Sequence, residues 1–247
     1  MTAASRRILR LTGADTLEFL QGLITNDIER LKDGLVYAAL LTPQGKYLAD
    51  FFLKADGDGV LLDADEAQAD MLVQRLSMYK LRADVTIAPT ALHLHRGIGV
   101  LPDDALPDPR HAALGWRAYR SDLQTDDTVD WTALRVAHII PRAGVELTPE
   151  SYILEMAFDR IGGVDFRKGC YVGQEVTARM KHKTELRKGL AKVAVNGEAH
   201  TGTEITADGK PVGTLLSRSG DLALAYLRFD RAKGTMQAGD AAVERVE

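Results

Sequence analysis

After residue 184 the chain changes texture, and this change constrains the fold more than any other feature. "LRKGLAKVAV", "TEITA", "KPVGTLLSRS", "LALAYLRF" and "AAVERVE" are short apolar stretches cut by glycines. Such a pattern indicates a compact antiparallel sheet or small barrel. The residues before it mix helical and strand patterns, so the fold class expected is α+β. The boundary falls near 180–186, dividing an α+β region over 1–180 from a small barrel over 184–247.

The first region opens with "LTGADTLEFLQGLITNDIERL" (11–31), where Leu17, Leu20, Leu23, Ile24, Ile28 and Leu31 recur at helical spacing. Gly22 and "TND" interrupt the pattern, giving two short helices or one with a break. "LVYAALLTPQGKYLADFFLK" (35–54) reads as two strands joined at Pro43-Gln44-Gly45, and "VLLDA" continues as a third. "DEAQADMLVQRLSMYKL" (65–81) is an amphipathic helix, and "ADVTIAP" is a strand ended by Pro89. Further helices are expected within 126–141, ended by Pro141, and over 148–163 with Pro149 near its start.

Several function classes drop out. No apolar run reaches the ~20 residues that span a bilayer, and "MTAASRRILRLTG" lacks a long apolar core and a small-residue cleavage site. One cysteine in 247 residues forms no internal disulfide. The expected location is the cytoplasm. A net charge of −4 argues against a global basic field for nucleic acid, so no direct nucleic-acid binding is expected. Locally, Arg167, Lys168, Arg179, Lys181, Lys183, Arg187, Lys188 and Lys192 face only Glu175 and Glu185, a stretch suited to an anionic ligand or to a solvated face. "GIGVLP" (97–102) fails as a dinucleotide fingerprint at Pro102, and "QGKY" fails as a phosphate loop. His93 and His95 share a strand face without a third ligand nearby, so no metal site is expected.

The lone Cys170 sits in "FRKGCYVGQEVTARM" (166–180). Gly169 and Gly173 permit a tight backbone, and "GQEVTARM" reads as the first turns of a helix. A cysteine before a helix start and beside Arg167 and Lys168 is where a thiolate is favoured. From spacing alone, an inert thiol in a glycine-permitted turn fits the same residues.

"KGCYVGQE" matches a longer pattern, K-G-C-Y-x-G-Q-E, and through it the chain resembles the YgfZ-type folate-binding proteins, relatives of the aminomethyltransferase T protein of glycine cleavage. The N-terminal segments resemble the family opening. "LRVAHIIPRAGVELTPE" resembles its Arg-x-x-x-G-x-P segment, with Ile139 at the glycine position, and the tail resembles its barrel. The resemblance implies intertwined α/β subdomains around a central folate channel, with tetrahydrofolate or a one-carbon-loaded folate as cofactor. It implies an accessory role in iron–sulfur cluster assembly or repair, supporting Fe–S enzymes that include tRNA-thiolating ones. Transient protein clients are the implied partners, and a monomer is expected. Cys170 and Asp50 are the catalytic candidates, Asp50 falling where the aminomethyltransferases carry their catalytic aspartate. Asn26, Tyr37, Asp50, Arg135, Lys168, Tyr171, Gln174 and Glu175 are the folate-binding candidates. Ala137 stands where those enzymes hold the pterin with a glutamate, which weighs against aminomethyl transfer. A tetrahydrofolate-dependent one-carbon transferase using Asp50 is therefore the alternative reading, with polar surface, turn-cap and helix-surface roles the plain alternatives for Asp50, Asn26 and Arg135.

Overall fold

The computed structural model describes residues 5–182 and 185–246. Lys183 of the basic segment and the first four residues of the N-terminal stretch lie outside them. The chain forms two compact units. One contains residues up to Val129 together with Asp159–Val176, the other Asp130–Phe158 together with Thr177 onward.

The first unit is built on an antiparallel sheet of five strands, β1 (Arg6–Thr12), β2 (Val36–Leu41), β3 (Tyr47–Asp56), β4 (Gly59–Asp65) and β5 (Thr86–Pro89), in the order β2-β3-β4-β1-β5. The Pro43-Gln44-Gly45 signal does form the β2–β3 turn, closed by the Gly45 amide on Thr42 O and by the Thr42 amide on Lys46 O. Alternate side chains point to opposite faces of a strand. Val36, Ala38, Leu40, Ala49, Phe51, Leu53, Leu62 and Ala64 make one face of this sheet. They pack with Leu20 of helix α1 (Thr16–Gln21) and with Leu72 and Leu76 of helix α2 (Glu66–Lys80). Each large apolar side chain so buried contributes about 1.5–3 kcal/mol. The break read at "TND" is real: α1 stops at Gly22 and a 3-10 turn resumes at Ile28–Lys32. Helix α2 starts at Asp65, whose carboxylate accepts from the Ala67 amide, and stops at Leu81, an exposed residue at φ +47. A small antiparallel sheet, β6 (His93–Gly97), β7 (Leu106–Pro107) and β8 (Trp116–Arg120), belongs to the same unit.

The second unit is built on a closed six-stranded barrel. Its strands are β9 (Lys188–Asn196), β10 (Glu204–Ala207), β11 (Lys210–Ser219), β12 (Leu222–Arg228), β13 (Met236–Ala238) and β14 (Ala241–Arg245). Pairing of Ile205 with Ala238 closes the ring. Helix α3 (Trp131–His138) is shorter than its 126–141 envelope and ends at Ile139, which takes φ +53 although it is β-branched and buried. Helix α4 (Gln174–His182) follows the cysteine segment, as its sequence indicates.

Two features differ from the sequence reading. No helix forms over 148–163; residues 153–162 are a run of turns, with Ala157 at φ +60. Ile153, Leu154, Met156, Phe158 and Ile161 are all buried, and the left-handed backbone at Ala157 interrupts any continuous helix through them. The other concerns the division into 1–180 and 184–247. Residues 130–158 group with the barrel rather than with the region that precedes them. Lys192 Nζ donates to Ala137 O, the Ser217 amide to Glu146 Oε1, the Leu190 amide to Glu155 O, and Tyr226 Oη to Glu155 Oε2 at 2.6 Å. Among the described residues no helix is long and apolar enough to cross a membrane.

Candidate functional site

The other face of the five-stranded sheet is polar and still buried. Tyr37 of β2 lies opposite Phe52 of β3, Ala39 opposite Asp50, and Phe52 opposite Asp63 of β4. The small Ala39 leaves room beside Asp50 for two phenols. Tyr37 Oη donates to Asp50 Oδ2 at 3.0 Å, and Tyr47 Oη donates to Asp50 Oδ1 at 2.5 Å. Gln68 Oε1, 3.0 Å away, is a second acceptor for the one Tyr47 proton, and Gln68 Nε2 donates to Leu48 O. Burial, reinforced by the Asp50 charge, pushes both tyrosines well above their ordinary range. They therefore stay protonated and act as donors at any physiological pH.

Beside this pair lies an ionic cluster that the sequence reading did not single out. Asp63 accepts from Arg6 Nε at 2.5 Å, Arg117 Nη2 at 2.5 Å and Tyr119 Oη at 3.0 Å. Asp108 accepts both Nε and Nη2 of Arg110. Burial pushes Asp63 and Asp108 up, but the neighbouring guanidiniums outweigh it and hold both below the usual carboxylate range. The Phe52 ring is approached by Arg117 at 3.8 Å, Arg110 at 4.7 Å and Arg6 at 5.7 Å, and Arg110 also reaches the Tyr37 ring at 5.4 Å. Charges this deep persist because they are paired and stacked on aromatic faces.

The cysteine segment is held by the same unit. Buried Lys168 donates to Gln21 O at 2.7 Å, a carbonyl left open at the end of α1, and to Ile24 O just beyond it at 2.6 Å, and lies 5.0 Å from the Tyr171 ring. Burial lowers its ammonium to about 8. Gly173 takes φ +82 and fits against the β2–β3 turn; a Cβ there would lie 2.6 Å from Thr42 O. The Gln174 amide bonds Tyr171 O as α4 begins. Cys170 and Glu175 are exposed.

The barrel, over residues 187–246, matches the family described as CAF17, C-terminal beta-barrel domain. The mouse mitochondrial iron-sulfur cluster assembly factor IBA57 is 30% identical over 94% of this chain and 78% of its own length. The human protein of that name is 29% identical over the same shares. This chain belongs to the CAF17/IBA57 family.

The IBA57 homologue of Mycosarcoma maydis is 31% identical over 76% of this chain, which spans 55% of that longer relative. In fold, the chain is similar to the glycine cleavage aminomethyltransferase T of Bartonella henselae, with a TM-score of 0.79 at 13% identity, covering 99% of this chain and 83% of that one. The aminomethyltransferase-like α+β fold with its C-terminal barrel is thus present. The resemblance to YgfZ-type proteins gives way to the broader family and its IBA57 members.

For this family member the candidate residues separate into groups. Tyr37 and Asp50 touch directly. Asn26 is buried with its amide spent inside the protein: Nδ2 donates to Tyr37 O and Gly162 O, and Oδ1 accepts from the Asp27 amide. Lys168, Tyr171 and Gln174 shape the cysteine segment. Arg135 belongs to the other unit, where Nε donates to Trp131 O and Nη2 to Thr132 Oγ1 of its own helix. Tyr47, Phe52, Asp63, Arg110 and Arg117 went unnoticed. The available signal was a charge within an apolar strand, as in "VLLDAD", which needs a buried partner.

Proposed function

We propose that the chain is a tetrahydrofolate-binding accessory protein in iron–sulfur cluster assembly or repair, serving Fe–S enzymes that include tRNA-thiolating ones. The observation that carries the reading is the match along nearly the whole chain to relatives named as iron-sulfur cluster assembly factors. An exposed Cys170 two residues from the anchored Lys168 supports a thiol presented to a client. Folate is supported by the aminomethyltransferase-like fold and by Asp50, a carboxylate aligned by two phenols that accepts an N–H of a reduced pterin. The reading includes a monomer that meets its clients transiently in the cytoplasm without binding nucleic acid; the matched relatives are mitochondrial by name. Calorimetry with tetrahydrofolate checks the ligand, and absence of heat at millimolar concentration overturns it. Client Fe–S enzyme activity in a deletion strain checks the role. Cys170→Ser that fully restores it removes the thiol from the mechanism.

The Tyr37–Asp50–Tyr47 arrangement also suits a second reading, aminomethyl transfer, in which Asp50 accepts a proton from the reacting amine. Formation of methylenetetrahydrofolate from an aminomethyl donor, lost in Asp50→Asn, favours it over the accessory role.

A further inference from the structure

We infer that Thr25 and Asn26 are positioning residues, which hold the Cys170 segment in register with the strand that carries Tyr37. Thr25 is wholly buried, and its groups point two ways. Toward β2, its amide donates to Ala39 O at 3.0 Å and its Oγ1 accepts from the Ala39 amide at 2.9 Å. Toward the cysteine segment, Oγ1 donates to Gly163 O at 2.7 Å and the Thr25 carbonyl accepts from the Asp165 amide at 3.0 Å. Asn26 repeats the pattern. One N–H of its amide goes to Tyr37 O and the other to Gly162 O, each at 2.8 Å. Lys168 adds the neighbouring Ile24 O on the segment's side.

Two adjacent side chains therefore bridge the backbone of Tyr37 and Ala39 to that of Gly162 and Gly163, and the Thr25 carbonyl extends the link to Asp165. Residue 39 is opposite Asp50 in the sheet, and the held stretch leads directly into Lys168 and Cys170. Because Thr25 and Asn26 are buried, as are their bonds to Gly163 O, the Ala39 amide and Tyr37 O, releasing one leaves a desolvated donor or acceptor, so the two sides move together rather than separately. A disturbance at the Tyr37–Asp50 pair thus reaches the exposed thiol through two residues that touch neither Asp50 nor Cys170 side chains by any bond described above.

The test reads iodoacetamide modification of Cys170 in the full chain. Thr25→Val keeps the shape and removes the hydroxyl, Thr25→Ser keeps the hydroxyl, and Leu72→Ala is a core truncation on α2. Thr25→Val is expected to change the rate at least about twofold, as coupled neighbours do, with Thr25→Ser and Leu72→Ala closer to wild type. A Thr25→Val rate equal to wild type, or an equal change in Leu72→Ala, overturns the inference. Should Thr25→Val not fold, hydrogen exchange on the wild type decides: the Ala39 and Asp165 amides are expected to share one opening free energy, and independent opening overturns the inference. Use of this link by a ligand rests on the folate reading. Tetrahydrofolate should then shift the Cys170 rate in wild type and Thr25→Ser, whereas Thr25→Val still gives binding heat without the shift. A shift retained in Thr25→Val counts against the positioning role. Absence of heat in every variant sinks the folate reading alone, and the alkylation and exchange results still decide the positioning.

Discussion

Gly173→Ala separates what the cysteine segment does for the fold from what it does for a partner. Gly173 sits at φ +82, where an L side chain costs about 1–2 kcal/mol. The added methyl would also lie 2.6 Å from Thr42 O, 3.0 Å from Leu41 Cβ and 3.1 Å from Gly45 Cα. Two of these are backbone atoms of a turn that cannot rotate away, so overpacking adds roughly 1–3 kcal/mol. Loss of glycine's freedom in the unfolded chain returns about 0.4–1 kcal/mol. The net expectation is about 1–5 kcal/mol of destabilisation, or roughly 2–20 °C in Tm for a chain of this size. Scanning calorimetry on the purified protein measures it. Cys170→Ser, by contrast, alters an exposed side chain and should stay within about 0.5 kcal/mol of wild type. A Gly173→Ala protein as stable as wild type would refute the account of this glycine as a packing requirement.

Leu81→Gly should stabilise the first unit by roughly 0.5–2 kcal/mol in urea unfolding, because Leu81 holds φ +47 without burying its side chain. Asp63→Asn, which strips the charge facing Arg6 and Arg117, should cost about 3–5 kcal/mol by the same measurement. Since the folded protein holds Asp63 and Asp108 below the ordinary ~3.9, their contribution is complete above about pH 4 and is lost as pH falls through the lower folded values. Acid unfolding of wild type should steepen there, and Asp63→Asn should flatten it. For Lys168 the sign is opposite. A folded value of about 8 against ~10.4 unfolded means the fold binds fewer protons, so stability gains as pH rises above about 8. Lys168→Met should lack that gain between pH 8 and 10 in urea titrations.

What could be read in the sequence was local. Glycine-cut strands announced a barrel, Pro43-Gln44-Gly45 announced a hairpin, and "TND" announced a broken helix, because each depends on neighbours in the chain. What escaped required partners far away. Nothing near Asp63 in sequence reveals Arg117, 54 positions on. Asn26 has the chemistry of a ligand contact, and only the positions of Tyr37 O and Gly162 O show its amide already occupied. Likewise Lys168 and Gly173 stand beside a cysteine and share its apparent purpose, until Ile24 O and Thr42 O account for them. The turns at 153–162 were missed because an apolar run reads the same whether buried as helix or as coil.

Ile139 bears on how relatives of this chain are found. The Arg-x-x-x-G-x-P segment that residues 135–141 resemble has glycine at this place, and the end of α3 suits one: the residue is left-handed, and the next amide, of Ile140, closes on Arg135 O. Isoleucine at φ +53 carries about 1–3 kcal/mol of backbone strain, while its buried side chain contributes about 1.5–3 kcal/mol. The two nearly cancel, so natural selection acting on stability has little to choose between a glycine that bends freely and a branched side chain that packs. Signatures that insist on the glycine will pass over chains like this one, and ones that weight the fold of that corner will keep them.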